Sequence, residues 1–321
     1  MNLRVPDSLT ASLSEKYRTS VRLWPGGLSF SGAIPTDDSS FFYEEAAVDV
    51  SRSYAQVLRD ACREYPFLTY PYADVRIVCA GLPCTLVPEV IYQDEAKERI
   101  YRFTFAHPAE TVIAQTLQPL ESVLLFGLRH DVHAFVERSL PRARWSHVLT
   151  SLLLRWRSQS LVSLHARMHA LIHERTMDLA CFDRGNLRFI NRFEIENYDD
   201  IMYYLLYIWK QLALDQRRDV LTLSAVSTTA FDLKEQLQTY LQNIRVEAIQ
   251  ELYRTDDREA TVGSSVQTES HNPKIECESY EELMAACASK CPPPSMPDLR
   301  RILPRRISST YSKTLSRGTR P

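Results

Sequence analysis

The chain has 321 residues, 45% of them hydrophobic and 24% charged, with a formal net charge of −2 at pH 7. This is the balance of a soluble globular protein with room for one large or two medium domains. The near-neutral charge excludes a chain-wide electrostatic grip on nucleic acid or an anionic membrane surface, and no apolar run approaches the ~18 residues that cross a bilayer.

The start, MNLRVPDSLTASLSEKY, lacks the apolar stretch of a signal peptide. From Val21 the sequence reads strand, tight turn, strand, strand, helix, strand: VRLWPGGLSFSGAI, FFYEEAAVDV, the helix SYAQVLRDACREY and the strand ADVRIVCAG. VPEVIYQDEAKERIYRF is a predicted helix, because Val90, Ile91, Ala96, Ile100 and Phe103 recur at helical spacing. TVIAQTLQ and ESVLLFGL are predicted strands, followed by the helices HDVHAFVERSL and SHVLTSLLLRWRSQ on either side of Pro141. About 145 residues after its first appearance the same unit recurs from Ala166, with ARMHALIHERTMDLACFDRGNLRFINRFEIE, the helix YDDIMYYLLYIWKQLAL and the strand DVLTLSAVS. Asn197 is a good N-cap for that helix, Asp199 and Asp200 put negative charge in its first turn, and Ile201, Leu205, Ile208 and Leu212 form one stripe. The helix FDLKEQLQTYL and the strand NIRVEAIQEL close the second copy.

The predicted fold class is therefore α/β, a duplicated βββαβαβ order mixing antiparallel hairpins with parallel crossovers. The first lobe is expected over 1–145 and the second over 146–254. Residues 255–321 read as a disordered tail, too poor in apolar residues to offset the entropy of ordering. Within it, 255–290 hold eight acidic and three basic residues, CPPPSMP breaks any helix, and the last 24 residues hold seven Lys or Arg.

Candidate chemistry is sparse. His165, His169 and His173 lie four residues apart, but on a strand such neighbours are ~13 Å apart, too far to share a metal. His130 and His133 lack a third ligand. The seven cysteines show no CxxC pair, and Cys62, Cys79, Cys84 and Cys181 read as small buried thiols in a reducing, cytoplasmic setting. There is no GxSxG, GxxxxGK, GxGxxG or HExxH, so no catalytic residue, metal or cofactor is nominated. The two hairpin turns remain. The first, Trp24-Pro25-Gly26-Gly27, has glycines that let backbone N–H groups approach a phosphate but no acid to hold magnesium; the second, His173-Glu174-Arg175-Thr176, has the acid but no glycine.

At these residues a resemblance enters. The duplicated order resembles the actin, Hsp70 and sugar-kinase ATPase superfamily, and MDLACFDRGNLRFINRFEIENYDDIMYYL is similar to the second lobe of pilus-assembly actin-like proteins. VRLWPGGLSFS, CTLVPEVIY, GNLRFINRF with DDIMYYLL, and LTLSAVS resemble the bacterial domain of unknown function 3822, over about 18–250. The superfamily implies two Asp-Gly phosphate turns and a Gly-Gly adenosine motif. This chain has neither turn sequence, and Ala225-Val226-Ser227 stands at the adenosine position. The resemblance thus implies a non-catalytic, cytoplasmic scaffold or adaptor that binds a protein partner or a second copy of itself. The competing expectation is a diverged ATPase or phosphotransferase that holds nucleotide in the interlobe cleft through Gly26, Gly27, Glu174, Arg175 and Thr176. A third is non-specific, salt-dependent nucleic-acid binding by the basic tail, through Arg300, Arg301, Arg305, Arg306, Lys313, Arg317 and Arg320.

Overall fold

The structure, a computed structural model, describes residues 3–262 except 25, 50, 106–108, 141 and 226. The elements of the first half are β1 (Arg18–Trp24), β2 (Gly27–Ile34), β3 (Asp37–Ala47), α1 (Tyr54–Glu64), β4 (Asp74–Cys79), β5 (Cys84–Pro88), α2 (Lys97–Thr104), β6 (Thr111–Leu117), β7 (Ser122–Leu128), α3 (His130–Ser139), β8 (Ala143–His147) and α4 (Val148–Leu161). The second half holds β9 (Arg167–Ile172), β10 (Thr176–Asp183), β11 (Asn186–Glu194), α5 (Tyr198–Gln211), β12 (Val220–Ala225), α6 (Ser227–Leu237), β13 (Ile244–Ala248) and α7 (Ile249–Val262).

The duplication is exact in topology. One five-stranded sheet runs β3-β2-β1-β4-β8 and the other β11-β10-β9-β12-β13. In each, the three leading strands pair antiparallel and the last three pair parallel. A three-stranded antiparallel sheet, β5-β7-β6, is inserted between β4 and β8.

Local chemistry explains several boundaries. A reciprocal capping box of Ser53 and Gln56 starts α1, and one of Asn197 and Asp200 starts α5. The β10–β11 turn places Arg184 at φ 49° and Gly185 at φ 80°, the positive pair that a two-residue turn needs to match strand twist.

Strand alternation then sorts the side chains. On the outer face of the first sheet Val21 and Leu23 align with Phe30, Leu28 and Ile77, and belong to one core with Ala55, Leu58 and Ala61 of α1. On the outer face of the second, Met168, Ala170 and Ile172 align with Leu179, Met177, Leu221 and Leu223, against Leu205 of α5 and Leu233 of α6. The last helix of each half packs on the other half's sheet: α4, after β8, meets β10, and α7, after β13, meets β1, β2 and β3.

Four expectations are corrected. Val87 and Pro88 pair with β7, and the helix begins only at Lys97; Val90 is 67% exposed and Phe103 65% while Ile100 is buried, so the apparent stripe is not one helical face. Ser146 and His147 close strand β8, which pairs with β4 in a stretch read as helix. The strand expected over NIRVEAIQEL stops at Ala248, and a helix starts at the next residue. That helix continues to Val262, so residues 255–262 are ordered and the tail cannot begin at 255. The expectations for 263–321, including the acidic stretch from there on and the basic end, lie outside the described residues.

Candidate functional site

The inner faces of the two sheets carry buried polar side chains beside apolar ones such as Val78, Leu171 and Phe182. Val21 and Leu23 point outward, so Ser20 and Arg22 point inward, aligned across the pleat with Ser31 and Ser29 of β2. In the second sheet His169 and Asp178 take the corresponding face, with Thr222 and Ser224 of β12. All are buried.

Arg22 is fully buried and meets two carboxylates of α7. Its Nη2 donates to Asp256 and to Oδ1 of Asp257 at 2.5 Å, and its Nε reaches Asp257 Oδ2 at 3.4 Å. Ser20 Oγ donates to Asp257 Oδ1 at 3.2 Å. The guanidinium lies over the Tyr253 ring, 4.5 Å from its centroid. Burial opposes the charge on Asp256, but Arg22 and Arg76 win and hold its carboxyl below the ordinary range. Arg22 stays protonated at any working pH, the two carboxylates outweighing its desolvation.

A second polar tie joins the halves. Arg192 of β11 grips Asp178 of β10 through two bonds of 2.6 Å, and its Nη1 donates to the carbonyl of Leu82, which follows β4. The same carbonyl receives His147 Nε2 at 3.1 Å, while His147 Nδ1 accepts from the Leu149 amide at 3.1 Å. Both ring nitrogens are occupied, and burial with the nearby Arg192 pushes this histidine down to about 3. It is neutral and unavailable as a general base.

Tyr253 stands between the two hairpins. Its ring centroid is 5.9 Å from that of Trp24, at the end of β1, and 6.4 Å from that of His173, at the end of β9. Its hydroxyl lies 3.3 Å from His173 Nε2, and it is 2% exposed. The five candidate turn residues are dispersed. Gly27 lies beneath the Trp24 indole, where a Cβ would come within 2.2 Å of ring carbons; its missing side chain makes room for that ring. Gly26, at φ 88°, lines a pocket of about 440 Å³ at the carboxyl ends of β1 and β4, with Trp24, Tyr54, Leu82, Arg129 and Val132. Glu174 and Arg175 are exposed and Thr176 half-buried. None of these three lines that pocket. Their turn is pinned by the His173 amide on the Thr176 carbonyl (2.8 Å) and the Ile195 amide on the Arg175 carbonyl (3.0 Å).

No thiol described here is activated. Burial pushes Cys62 up to about 11, and Cys84 and Cys181 to about 12. Sequence reasoning missed Arg22, Asp178, Arg192, Asp256 and Asp257. Arg22 and Asp178 left a trace, each a charge at an inward position between two buried apolar residues.

Two sheets of identical order, crossed by the closing helix of each half, define the actin-like ATPase fold. A crystal structure from Bacteroides thetaiotaomicron, described as a protein with actin-like ATPase fold and unknown function, matches with a TM-score of 0.70 at 27% identity, over 79% of this chain and 99% of that one. More distant are the ethanolamine utilization protein EutJ from Carboxydothermus hydrogenoformans (TM-score 0.41, 10% identity, 77% and 90% covered) and a PilM–PilN type IV pilus biogenesis complex (0.40, 13%, 76% and 95%). A search of curated proteins returns no match. Residues 6–244 match the family described as protein of unknown function (DUF3822), and the chain belongs to that family.

Proposed function

We propose that this is a non-catalytic actin-like-fold protein, acting in the cytoplasm as a scaffold or adaptor by binding another protein. The observation that carries this reading is the side-chain filling between the hairpins. In the superfamily that space is where the two turns would grip phosphate; here Tyr253, Trp24 and His173 occupy it, above the buried Arg22–Asp256–Asp257 group. The buried histidines are neutral, and the acid and glycines that nucleotide binding would call upon lie apart. Exposed apolar side chains at Leu161 (52%), Val162 (86%) and Leu164 (90%) support a protein partner. Four described cysteines, all free, support a reducing compartment. Among the described residues no helix is long and apolar enough to cross a membrane.

One observation favours the competing reading, a diverged nucleotide-binding enzyme. The pocket beside Gly26 lies where the chain leaves the paired strands β1 and β4 toward neighbours on opposite sides, β2 and β8, the position at which open α/β sheets take ligands. Thermal melts with millimolar ATP, ADP or GTP and magnesium separate the two. A ligand at a hundred times its Kd adds about 2.7 kcal/mol, several degrees of melting temperature. The adaptor reading expects no shift; a saturable, magnesium-dependent shift overturns it.

A further inference from the structure

On the inner face of the second sheet, away from the hairpins, a group of donors is left without acceptors. His169 of β9 lies opposite Thr222 of β12, which lies opposite Arg245 of β13. Arg167 is two residues before His169, and Ser224 two after Thr222, so all share one face. Helix α4 roofs this face: the Trp156 indole stacks on the His169 imidazole at 4.8 Å with 12° between planes, and Arg155 precedes it. His169 is 1% exposed and neither ring nitrogen has a hydrogen-bond partner. Buried Nη1 of Arg155, Nε of Arg167 and Oγ of Ser224 also have none.

Each such orphan gives up its hydration with nothing in return, and buried polar groups in native proteins are nearly always satisfied, by protein, water or ion. The charge here is lopsided too. Three arginines stand against Glu247, which takes Arg155 at 3.5 Å, and the neighbouring Glu259. Burial raises the Glu247 carboxyl despite Arg155, and burial, then Arg245, weakens Arg167's hold on its proton. Water would satisfy the donors and leave the surplus charge. An anion answers both. Arg167, Arg155 and Arg245 lie close enough to His169 to act on its charge; guanidinium, imidazole N–H and hydroxyl are all donors, and guanidinium forks match the oxygens of a tetrahedral oxyanion. Arg245 is exposed and Arg167 half-buried, which leaves a way in from solvent.

We propose that this niche binds a phosphate-class oxyanion, held by Arg155, Arg167, His169 and Ser224 with Arg245 at the rim. The site uses neither hairpin and goes beyond the adaptor reading. The oxyanion has two sources, free inorganic phosphate or the phosphate group of a small phosphomonoester.

The test is calorimetric titration of the full chain with inorganic phosphate and, separately, with glycerol phosphate, against chloride at matched ionic strength. Saturable binding of either is expected, and Arg167→Gln is expected to weaken it at least tenfold while the variant still melts cooperatively in chloride. Binding of inorganic phosphate alone assigns the free ion; binding of both assigns the shared group. If Arg167→Gln does not fold, Ser224→Ala, which removes one neutral donor, carries the same comparison with a severalfold loss. No saturable heat with either ligand, or equal affinity in the folded variant, overturns the site and leaves only ordered water there.

Discussion

Arg22 illustrates how a buried charge is held by partners rather than by its setting. Removing it strands two carboxylates away from water, and breaking a buried ion group from one side costs about 3–5 kcal/mol. Arg22→Met alone is expected to lower the unfolding free energy by that amount, whereas Arg22→Met with Asp256→Asn and Asp257→Asn is expected to recover most of it, as measured by denaturant unfolding. A triple variant as unstable as the single one would show that packing, not charge, holds the position. The buried histidines set a pH dependence. Burial, reinforced by arginines, keeps His147 and His169 neutral down to about pH 3, whereas an unfolded histidine titrates near 6.5. Between those values the unfolded chain binds more protons, so stability rises with pH across this window and is complete above it. The unfolding free energy is expected to fall from pH 7 to pH 5 by roughly 1 kcal/mol per pH unit below 6.5 for each histidine, and His169→Gln is expected to flatten the slope by about one proton. Asp256, with its lowered carboxyl, adds to the loss in more acid solution, as pH falls below the ~3.9 of an unfolded aspartate. At this scale the sequence was half legible. The four-residue spacing of His169 and His173, read as strand, matches β9 and the residue that follows it. The partners of Arg22 were not readable, since nothing in VRLWP points to an acid pair 235 positions away.

Among the elements, α7 does most to define the molecule and was the least legible. Its stretch RTDDREATV looks like tail because its apolar residues are few, yet it buries Asp256, Asp257 and Thr261. Polar side chains are buried here because the opposing strand is itself polar, a match that no window of local sequence can reveal. The duplicated hairpins and α5, by contrast, were legible, since turn and capping chemistry is local. Strand β8 was masked by its flanking helices. A chain ending at Ala248 loses Ile249, Leu252 and Tyr253 from the core and leaves Arg22 without a carboxylate. It is expected to show no cooperative melt by circular dichroism, while a chain ending at Val262 is expected to melt within a few degrees of the full length. A shorter chain that melts like the longer one would refute the role given to α7.

At the scale of the molecule, the outer faces of the two sheets are apolar, and the buried polar residues gather between the sheets beside Val78, Leu171, Ala180 and Phe182. The duplication could be read because hydrophobic spacing repeats within each half. The contents of the middle could not, because each half supplies what the other half's sheet needs. This exchange of closing helices bears on how the protein is made. Strand β1 emerges from the ribosome early, and its carboxylate partners 235 positions later. At about 5–20 residues per second, roughly 12–47 s separate them. Throughout that interval the first sheet carries an unneutralised guanidinium on the face it must bury, so the earliest strand made is among the last to settle. The first sheet is therefore expected to bury its inner face only after a single helix at the far end of the fold has been made.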